Sequence, residues 1–451
     1  MFSAAILQSL LSSRKYCTIY PMNKTLTTDN SFSSSLCVNC IQIKRDVINQ
    51  WLLNYERELP PFYTSVDIRD AGFKIAVVDT NLFPAGFNNL CEHGLADAVN
   101  LAKNAILKRV PQAKNIIIAA EEHTRNTWYL ENLRILQGII TSAGFNVSIA
   151  TFFEEQPTFC EHAAHALEFE TATGKTVKIH CFKHILEKIK NNQLKADLII
   201  MNNDLTRGIP ASLLEVNIPI VPSMHAGWHA RHKSEHFKYT NTLIKEFASL
   251  VGIDPWQFLC LYELVENVDT KNETDLKRLY EAGVKLFADI QTKYTEHGIA
   301  AKPFIFIKSD SGTYGLGVIS IEDPQQILEL NSRKRQDLMR GKGGDTVDRF
   351  LLQEGVPTIH RIEESPSEVC LYQIDNNLVG GFYRFHSAKN SRQSLNSPGG
   401  MGFQKMCPHL DKYGKNCGEH HNLNIFSIYR ILGRIAGVAA AREIKELEKA
   451  L

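Results

Sequence analysis

Several things are scarce in this sequence, and each scarcity argues against a class of protein. No apolar run approaches the roughly 18 residues that a bilayer crossing requires, so the sequence predicts no membrane association. Ten cysteines are scattered over 451 residues without the spacing of a secreted disulfide scaffold. That pattern favours reduced thiols in a reducing compartment. The net charge is only +1, so no excess of basic residues predicts nucleic acid as a partner.

The rest of the composition is that of a soluble globular protein, with 44% hydrophobic and 22% charged residues and a length typical of about three domains. The first forty residues differ, because no acidic residue precedes Asp29 while Ser and Thr are frequent. A transit peptide, a disordered tail and a true start at Met22 all fit this stretch. We expect a cytoplasmic protein, with organelle targeting by residues 1–28 as the alternative, and we leave residues 1–44 out of the fold. The Cys37-x-x-Cys40 pair in this stretch is interpreted as incidental.

Alternating strand and helix patterns predict a mostly parallel α/β sheet over residues of about 60 to 222. Strands at 73–78, 115–120 and 196–201 each end in a polar cluster. Open α/β sheets bind ligands at the carboxyl ends of their strands, so we expect one polar site at one edge of a substrate-binding domain, residues 45–222. Ordinary Asx turns and helix caps are the alternative. The candidate residues are Asp67, Arg69, Lys74, Asp79, Asn81, Asn88, Glu121, Arg125, Asn203 and, from the next segment, Arg231.

Residues 223–300 are predicted to be a helical linking segment, and four histidines lie near its start. His225, His229, His232 and His236 have the spacing of one helix face, which raises the alternative of a metal site. No acidic partner accompanies them on the predicted helix, and histidine is often a hydrogen-bonded core residue. The second interpretation is a basic segment that contains Lys233.

The stretch Lys302 to Ile321 predicts a strand, a glycine-rich loop and a second strand. Loop glycines allow the backbone to approach an anion closely, and a lysine at the strand end adds a positive charge for phosphate. An ordinary hairpin with a long turn explains the same pattern. The candidate phosphate-binding residues are Lys308, Ser309, Ser311, Gly312, Gly315 and Gly317.

Three further features follow in residues 301–451. A short strand at 350–353 leads into Glu354-Gly355-Val356, and two strands flank Asp375-Asn376-Asn377, a strong hairpin signal. An amphipathic helix is predicted at 424–451. The cysteines and histidines between residues 407 and 421 match no zinc-binding spacing, so we interpret them as a loop.

This order of parts resembles the ATP-grasp ligases. Lys233 in HKSEHF and Lys308 in IKSDSGTYGLGV match the two phosphate-binding lysines of that family. Gln353, Glu354 and Val356 match the segment that holds adenine and ribose, and Arg384 and Asn396 match the catalytic end. The resemblance implies an α/β fold, with a parallel-sheet domain followed by an ATP-grasp-like α+β module over residues 301–451.

A narrower resemblance covers roughly residues 45–451. The motifs FYTSVDIRDAGFKIAVVDTNLFPAGFNNL, EEHTRNTWYLENL, MNNDLTRGIP and GWHARHKSEHF are similar to those of the proteobacterial, ATP-grasp-like type of glutamate–cysteine ligase. The resemblance implies ATP and Mg²⁺ as cofactors and small molecules as substrates. ATP would convert the γ-carboxylate of glutamate into an acyl phosphate, which the cysteine amine would attack. Lys233, Lys308 and Arg384 are the implied catalytic residues.

Three alternatives stay open at this point. The first is another amino-acid or peptide ligase, such as a glutathione-synthetase-like enzyme. The second is a nucleotide-binding regulator without catalysis, and the third is a histidine-rich metal-binding protein.

The metal ligands depart from the pattern of the ATP-grasp family. Many ATP-grasp enzymes carry a Glu-x-Asn pair, but here Gln393-Ser394-Leu395 precede Asn396, with no acidic residue at that place. The carboxylate would then come from Glu368, Asp375 or Glu354. We take Glu368 and Asn396 as the candidate metal ligands.

Overall fold

The fold is mixed α/β, as predicted, with three β-sheets. The computed structural model describes residues 40–56, 59–153, 166–311, 317–339, 347–397, 399–406 and 423–449. The predictions on Cys37 and on the Cys and His residues of 407–421 lie outside these ranges. The helices are α1 (Arg45–Glu56), α2 (Glu92–Arg109), α3 (Thr127–Ser142), α4 (Phe182–Lys190), α5 (Ala211–Leu214), α6 (Lys233–Val251), α7 (Glu273–Glu296), α8 (Gln325–Leu328), α9 (Ser332–Met339) and α10 (Leu423–Lys449).

The strands follow in the same chain order. They are β1 (Tyr63–Asp70), β2 (Ile75–Asn81), β3 (Asn115–Ala120), β4 (Asn146–Thr151), β5 (Leu167–Glu170), β6 (Thr176–Cys181), β7 (Leu198–Asn202), β8 (Ile220–Val221), β9 (Tyr262–Val265), β10 (Ile305–Ser309), β11 (Ile319–Ile321), β12 (Phe350–Glu354), β13 (Arg361–Ile362), β14 (Ser365–Ile374), β15 (Asn377–His386) and β16 (Met401–Met406).

The parallel sheet has the order β5-β6-β4-β3-β7-β8, and all its pairs are parallel except β5 with β6. One of its faces packs with α2 and α3, through residues such as Ala102 and Leu133. The other face packs with α4, through Phe182 and Ile185. The predicted α/β sheet is therefore present over residues 115–221.

The strand predicted at 73–78 does not belong to this parallel sheet, so that part of the prediction is wrong. It is β2, which pairs antiparallel with β1. The two strands are joined by a tight turn in which Gly72 has a φ of 79° and Ala71 N–H donates to Lys74 O over 2.8 Å. A tight turn joins antiparallel neighbours, whereas parallel neighbours need a long crossover.

β1 and β2 belong to a central sheet that also contains the late strands of the chain. Its order is β16-β15-β14-β1-β2, with β13 on β14, and every pair is antiparallel. β14 and β15 form the predicted hairpin, in which Asp375 and Asn376 make a two-residue turn with φ of 49° and 61°. Positive φ at both positions is what Asp and Asn tolerate better than most residues.

The central sheet places a different chemistry on each face. One face carries Val66, Ile68, Val369 and Leu371, which pack against α1, α6 and α10. The other face is apolar at one end, where Tyr372 and its neighbours pack with α2, and polar at the other end. Side chains alternate between faces along a strand, so the polar end forms a row of charged groups on a rigid support.

The four-stranded sheet has the order β11-β10-β12-β9 and is fully antiparallel. The predicted strand–loop–strand hairpin is confirmed as β10 and β11. The long helix α7 covers one face of this sheet, with Leu279 and Leu286 packed against Ile305 and Leu352. The opposite face carries Lys308.

The histidine-bearing segment is not one helix, so the prediction of four histidines on one helix face is wrong. A short 3-10 turn at Met224–Ala226 is followed by a second turn, in which Ala230 N and Arg231 N donate to Gly227 O, and α6 begins only at Lys233. A Cβ on Gly227 would lie 2.6 Å from Leu205 Cβ, so the backbone packs too closely on its neighbour there to continue a helix. Within the described ranges, the one group with metal-binding spacing is Asp254, Glu296 and His297, which contains none of the four. Lys293 already bonds both carboxylates of that group.

Within the described part of the chain, none of the helices combines the length and the apolar character that a bilayer crossing requires.

The packing of α10 on the central sheet predicts a large effect of one truncation. Leu432 is fully buried between this helix and the sheet, so Leu432→Ala should lower the free energy of unfolding by about 2–5 kcal/mol. Val284, which is 41% exposed on α7, provides the control, and Val284→Ala should change that free energy by about 0.5 kcal/mol or less. Urea denaturation measures both; equal losses in the two variants would contradict this packing.

Candidate active site

Two lysines from different elements meet at one carboxylate. Lys233, the first residue of α6, places Nζ 3.4 Å from Asp79 Oδ1 on β2. Lys308, on β10, donates from Nζ to Val78 O at 3.2 Å and to Gln353 Oε1 at 2.5 Å. The structure therefore brings together the two predicted phosphate-binding lysines, which are remote in sequence.

The charges of this lysine pair are strongly coupled to Asp79. Burial alone would raise the pKa of Asp79, but Lys233, Lys308 and Arg231 outweigh it and lower that pKa to about 2. Burial lowers the pKa of Lys308, and the nearby Lys233 lowers it further against the opposing effect of Asp79. The site thus holds more positive than negative charge next to an ionised carboxylate.

Two buried N–H donors beside the lysine pair have no acceptor in the part of the chain that the structure describes. Gln353 bonds Lys308 through Oε1, while its Nε2 has no partner. The ring of Trp228 lies 4.0 Å from Lys233 Nζ, and its Nε1 has no partner either. Buried donors are normally paired, so unpaired ones beside two lysines fit an anionic, oxygen-rich ligand.

A row of charged side chains lies on the polar end of the central sheet. Arg384 Nη1 bonds both Asp67 Oδ2 and Glu368 Oε1 at 2.8 Å. Arg69 Nε bonds the other oxygen of Glu368 at 2.7 Å. Asp67 is directly opposite Asp79 in the pairing of β1 with β2, and Glu368 is opposite Arg384 in that of β14 with β15. This register connects the row to the lysine pair.

The groups of this row differ in their protonation tendencies. Burial raises the pKa of Asp67, and Arg384 only partly offsets it because Glu368 and Asp79 are nearby carboxylates. Burial also acts on Glu368, but Arg69 and Arg384 outweigh it and lower its pKa. The two acids raise the pKa of Arg384 well above its ordinary value despite burial. One carboxylate of the row is thus kept ionised while its neighbour holds a proton more readily.

The loop that contains Asn396 is attached to this row by Arg69. Its guanidinium donates to Ser391 O at 3.1 Å and to Gln393 O at 2.8 Å, and weakly to Val356 O at 3.4 Å. Arg69 therefore connects the predicted metal ligand Glu368 to a loop segment that ends three residues before Asn396, the other predicted ligand. The alternative carboxylate Asp375 lies in the turn at the opposite end of β14, bonded by Lys108 and Arg109.

Some predicted site residues bond each other instead of facing an open site. Lys74 Nζ and Glu354 Oε2 form a buried ion pair at 2.6 Å. Glu354 also accepts from Trp256 Nε1 at 3.1 Å and from Leu261 N at 2.9 Å. Gly355 follows, and a Cβ there would overlap the ring of Phe304. The Glu354 side chain thus holds the end of β12 in place.

Arg231 is likewise enclosed. Its Nε bonds Glu443 on α10 at 2.7 Å, and its Nη1 donates to Thr80 O at 2.7 Å. His236 Nδ1 lies 3.1 Å from the same glutamate. In this structure these contacts tie α6, α10 and the end of β2 together.

The remaining predicted substrate-binding residues lie at strand ends of two sheets. At the edge of the parallel sheet, Glu121 Oε1 accepts from Asp204 N at 2.9 Å, Asn203 Nδ2 donates to Ala120 O at 3.2 Å, and Arg125 is exposed. After β2, Asn81 Oδ1 accepts from Phe83 N in a local turn, and Asn88 donates to Asn89 Oδ1. The expectation of a single sheet edge is wrong for β2, which belongs to the central sheet.

Trp228, for which the sequence predicted no role, connects the edge of the parallel sheet to the lysine pair. Its backbone N–H donates to Asp204 O at 2.8 Å, and its ring contacts Lys233 and Arg231. The parallel-sheet edge therefore adjoins the lysine pair through one residue. Its position in the motif GWHARHKSEHF was the only signal available from the sequence.

The base of the glycine-rich loop is described at both ends. Ser309 Oγ donates to Ser311 O. Gly317 has a φ of 65°, and a Cβ there would lie 3.2 Å from Asp337 O, so both conformation and space favour glycine. Gly312 and Gly315 lie outside the described residues.

Comparison with known proteins identifies the class and then the family. Lysine, arginine and acidic side chains are recurring parts of sites that transfer phosphoryl groups. The model of the glutamate–cysteine ligase family, GshA, matches residues 39–444. The chain therefore belongs to the glutamate–cysteine ligase family. It is an ATP-dependent ligase that joins glutamate to cysteine and gives γ-glutamylcysteine for glutathione biosynthesis.

One solved structure is similar over nearly the full chain. It is the protein from Methylobacillus flagellatus KT assigned as a gamma-glutamylcysteine synthetase, at 31% identity and a TM-score of 0.80, over 95% of this chain and 99% of that one. D-alanyl-alanine synthetase A from Vibrio cholerae gives 11% identity and a TM-score of 0.31, over 71% of this chain and 80% of that one. A glutathione synthetase-like effector from Globodera pallida gives 8% identity and a TM-score of 0.34, over 86% of this chain and 88% of that one. No curated protein sequence matches this chain.

The charge balance at Asp79 predicts a pH-dependent contribution to stability. The pKa of Asp79 lies below its ordinary value, so its ionised form stabilises the fold fully above about pH 4, and this contribution decreases as the pH falls toward 2. Wild type should therefore exceed Asp79→Asn in free energy of unfolding at pH 7, and the difference should narrow by pH 3. Urea denaturation at both pH values measures it.

A neutral substitution supplies the control for that comparison. Gln137 donates to Val147 O at 3.2 Å on the parallel sheet and carries no charge. Gln137→Leu should differ from wild type by the same amount at pH 7 and pH 3. An Asp79→Asn difference as constant as that of Gln137→Leu would contradict the coupling between Asp79 and the two lysines.

Proposed function

We propose that the lysine pair and the charged row of the central sheet together form the site where ATP activates glutamate. A carboxylate is a poor acyl donor because its leaving group would be an oxide. In the proposed sequence, a γ-carboxylate oxygen attacks the γ-phosphorus of ATP, the bond to ADP breaks, and an acyl phosphate forms. The cysteine nitrogen then attacks the acyl carbon, phosphate leaves, and the amine gives up a proton.

The observation that supports this assignment is the excess of unpaired donors around Lys233 and Lys308. Phosphoryl transfer depends mainly on positioning and on neutralising charge. Both lysines, with Gln353 Nε2 and Trp228 Nε1, lie around the carboxylate of Asp79. Phosphate oxygens would supply the missing acceptors. Ser309, Ser311, Gly312, Gly315 and Gly317 are the proposed cover of the phosphates, and Gln353, Glu354 and Val356 the proposed neighbours of adenine and ribose.

Arg384 is the proposed contact to the transferring phosphoryl group. It is held on β15 by Asp67 and Glu368, which keep it charged and fix its orientation. A planar guanidinium suits the bidentate geometry of phosphate. Arg384 also lies on the same sheet face as Asp79, so one rigid element presents it toward the lysine pair.

The amino acids are proposed to bind between the charged row and the edge of the parallel sheet. Asp67 and Asp79 would attract an ammonium group, and Arg125 would attract a carboxylate. Glu121 and Asn203 shape the adjoining edge. Arg69, Lys74, Asn81, Asn88 and Arg231 complete the proposed set, with Arg69, Lys74 and Arg231 acting through their contacts to Glu368, Glu354 and Glu443.

The family is ATP-dependent and implies a divalent metal, for which we propose Mg²⁺. Carboxylate and amide oxygens are the ligands this ion prefers, and the polar face carries Asp79, Asp67 and Glu368 on the neighbouring strands β2, β1 and β14. Glu368 and Asn396 are the proposed ligands, and Asp67 shares the Arg384 guanidinium with Glu368. The ion would neutralise phosphate charge during transfer.

A substrate-pair assay tests the proposed function. ADP release should require glutamate and cysteine together, and γ-glutamylcysteine should form in equal amount. γ-Glutamylcysteine with glycine, the pair used by a glutathione-synthetase-like ligase, serves as the comparison and should give no ADP above background. Turnover with that second pair alone would overturn the assignment.

Replacing Lys308 tests the nucleotide side of the site. Lys308→Ala should lower kcat/KM for ATP by about 10²–10³-fold, because a preorganised charge at the transferring phosphate is lost. Lys285→Ala is the matched control, since Lys285 is exposed on α7 and bonds Glu263 on the same sheet. It should keep wild-type kinetics. An unchanged kcat/KM in Lys308→Ala would remove Lys308 from the mechanism.

A further inference from the structure

Asp310 is a wholly buried acid that no step of the proposed mechanism uses. It follows β10 directly and lies two residues after Lys308. Its Oδ1 accepts from Ser234 N at 2.7 Å, and its Oδ2 accepts from Ser234 Oγ at 2.8 Å. Its backbone oxygen accepts from Lys233 N at 2.7 Å. Three hydrogen bonds therefore join this one residue to the first two residues of α6.

The same side chain is also bonded from the other direction. Arg349, just before β12, places Nε and Nη2 each 3.2 Å from Asp310 Oδ2. The backbone N–H of Asp310 donates to Arg349 O at 3.0 Å. Asp310 thus links three elements: the strand of Lys308, the helix of Lys233 and the start of the strand that carries Gln353.

Electrostatics explains why an acid is needed at this point. The beginning of α6 has unpaired backbone N–H groups and a partial positive charge. Lys233, Lys308 and Arg349 add like charges around it. A buried carboxylate that accepts two hydrogen bonds from Ser234 satisfies the helix end and offsets part of this repulsion.

We propose that Asp310 is a positioning residue that sets the distance between Lys233 and Lys308. The inference rests on the proposed role of these lysines in holding the phosphates of ATP. Misplacing a catalytic group by about 1 Å can cost about 100-fold in rate, so a residue that touches no substrate can still control phosphoryl transfer. The carboxylate of Asp310 does this by accepting two hydrogen bonds from Ser234, the residue next to Lys233, at the end of the strand that carries Lys308.

A double-mutant cycle separates positioning from general stability. Asp310→Ala should lower kcat/KM for ATP by about 100-fold, with KM for glutamate and cysteine changing less than about threefold. In a Lys233→Ala background the same Asp310→Ala change should cost less than about threefold, because the group it positions is already absent. Asp197→Ala is the control: Asp197 accepts from Lys114 N and Asn115 N at 2.8 Å in the parallel sheet. It should keep wild-type kinetics even where its thermal midpoint falls.

Each outcome decides the inference. Equal losses from Asp310→Ala with and without Lys233 would overturn the positioning role while leaving that of Lys233 intact. Full activity in Lys233→Ala alone would overturn the proposed role of that lysine and this inference with it. Where Asp310→Ala does not fold, Ser234→Ala replaces it, since it removes only the Oγ bond at 2.8 Å. It should cost about tenfold with Lys233 present and nothing measurable without it.

Discussion

The accumulation of positive charge around one carboxylate is the constraint on which the rest of the site depends. Lys233, Lys308 and Arg231 surround Asp79. Burying each of these charges costs free energy unless an opposite charge lies next to it. Asp79 offsets the charge of the lysines, and Glu443 forms an ion pair with Arg231. Asp310 accepts a hydrogen bond at the start of α6, next to Lys233. Every one of these pairs joins elements remote in sequence. The charge balance around Asp79 therefore also determines how the sheets are held together.

The central sheet fixes the positions of the charged side chains relative to one another. Its register places Asp67 opposite Asp79 and Glu368 opposite Arg384, so three acids and one arginine lie on one face of neighbouring strands. Its other face is closed by α1, α6 and α10. Helix α6 has two functions as a result: its apolar side packs on the sheet, and its first residue supplies a lysine to the site. A rigid core and a reactive surface share the same elements.

Local signals predicted the local structure well. The Asp375-Asn376 turn and the β10–β11 hairpin follow from the chemistry of a few adjacent residues. The pairing of Lys233 with Lys308 came from the resemblance to a family, since nothing in their spacing implies contact. Sheet membership of β2 was missed because pairing depends on strands near the other end of the chain.

Side-chain roles were harder to predict than positions. Lys74 and Glu354 are charged residues at strand ends, a pattern that in sequence predicts binding residues. In the structure they form a buried ion pair with each other. Asp310 and Trp228 lie within motifs that were quoted, yet their roles depend on the backbone groups and cations next to them. Burial and partner choice are three-dimensional properties, and they decide which polar residue is free to act.

The composition of the central sheet has a consequence for biosynthesis. Arg69 and Glu368 bond each other although they are 299 positions apart in the sequence, and β1 has β14 as a neighbour. During translation the apolar faces of β1 and β2 emerge long before the strands and the last helix that cover them. Such non-local topologies fold slowly, and their unpaired strand edges and apolar surfaces promote aggregation until folding is complete. A ribosome-bound chain of this enzyme is therefore expected to depend on chaperones until its C-terminal helix has been made.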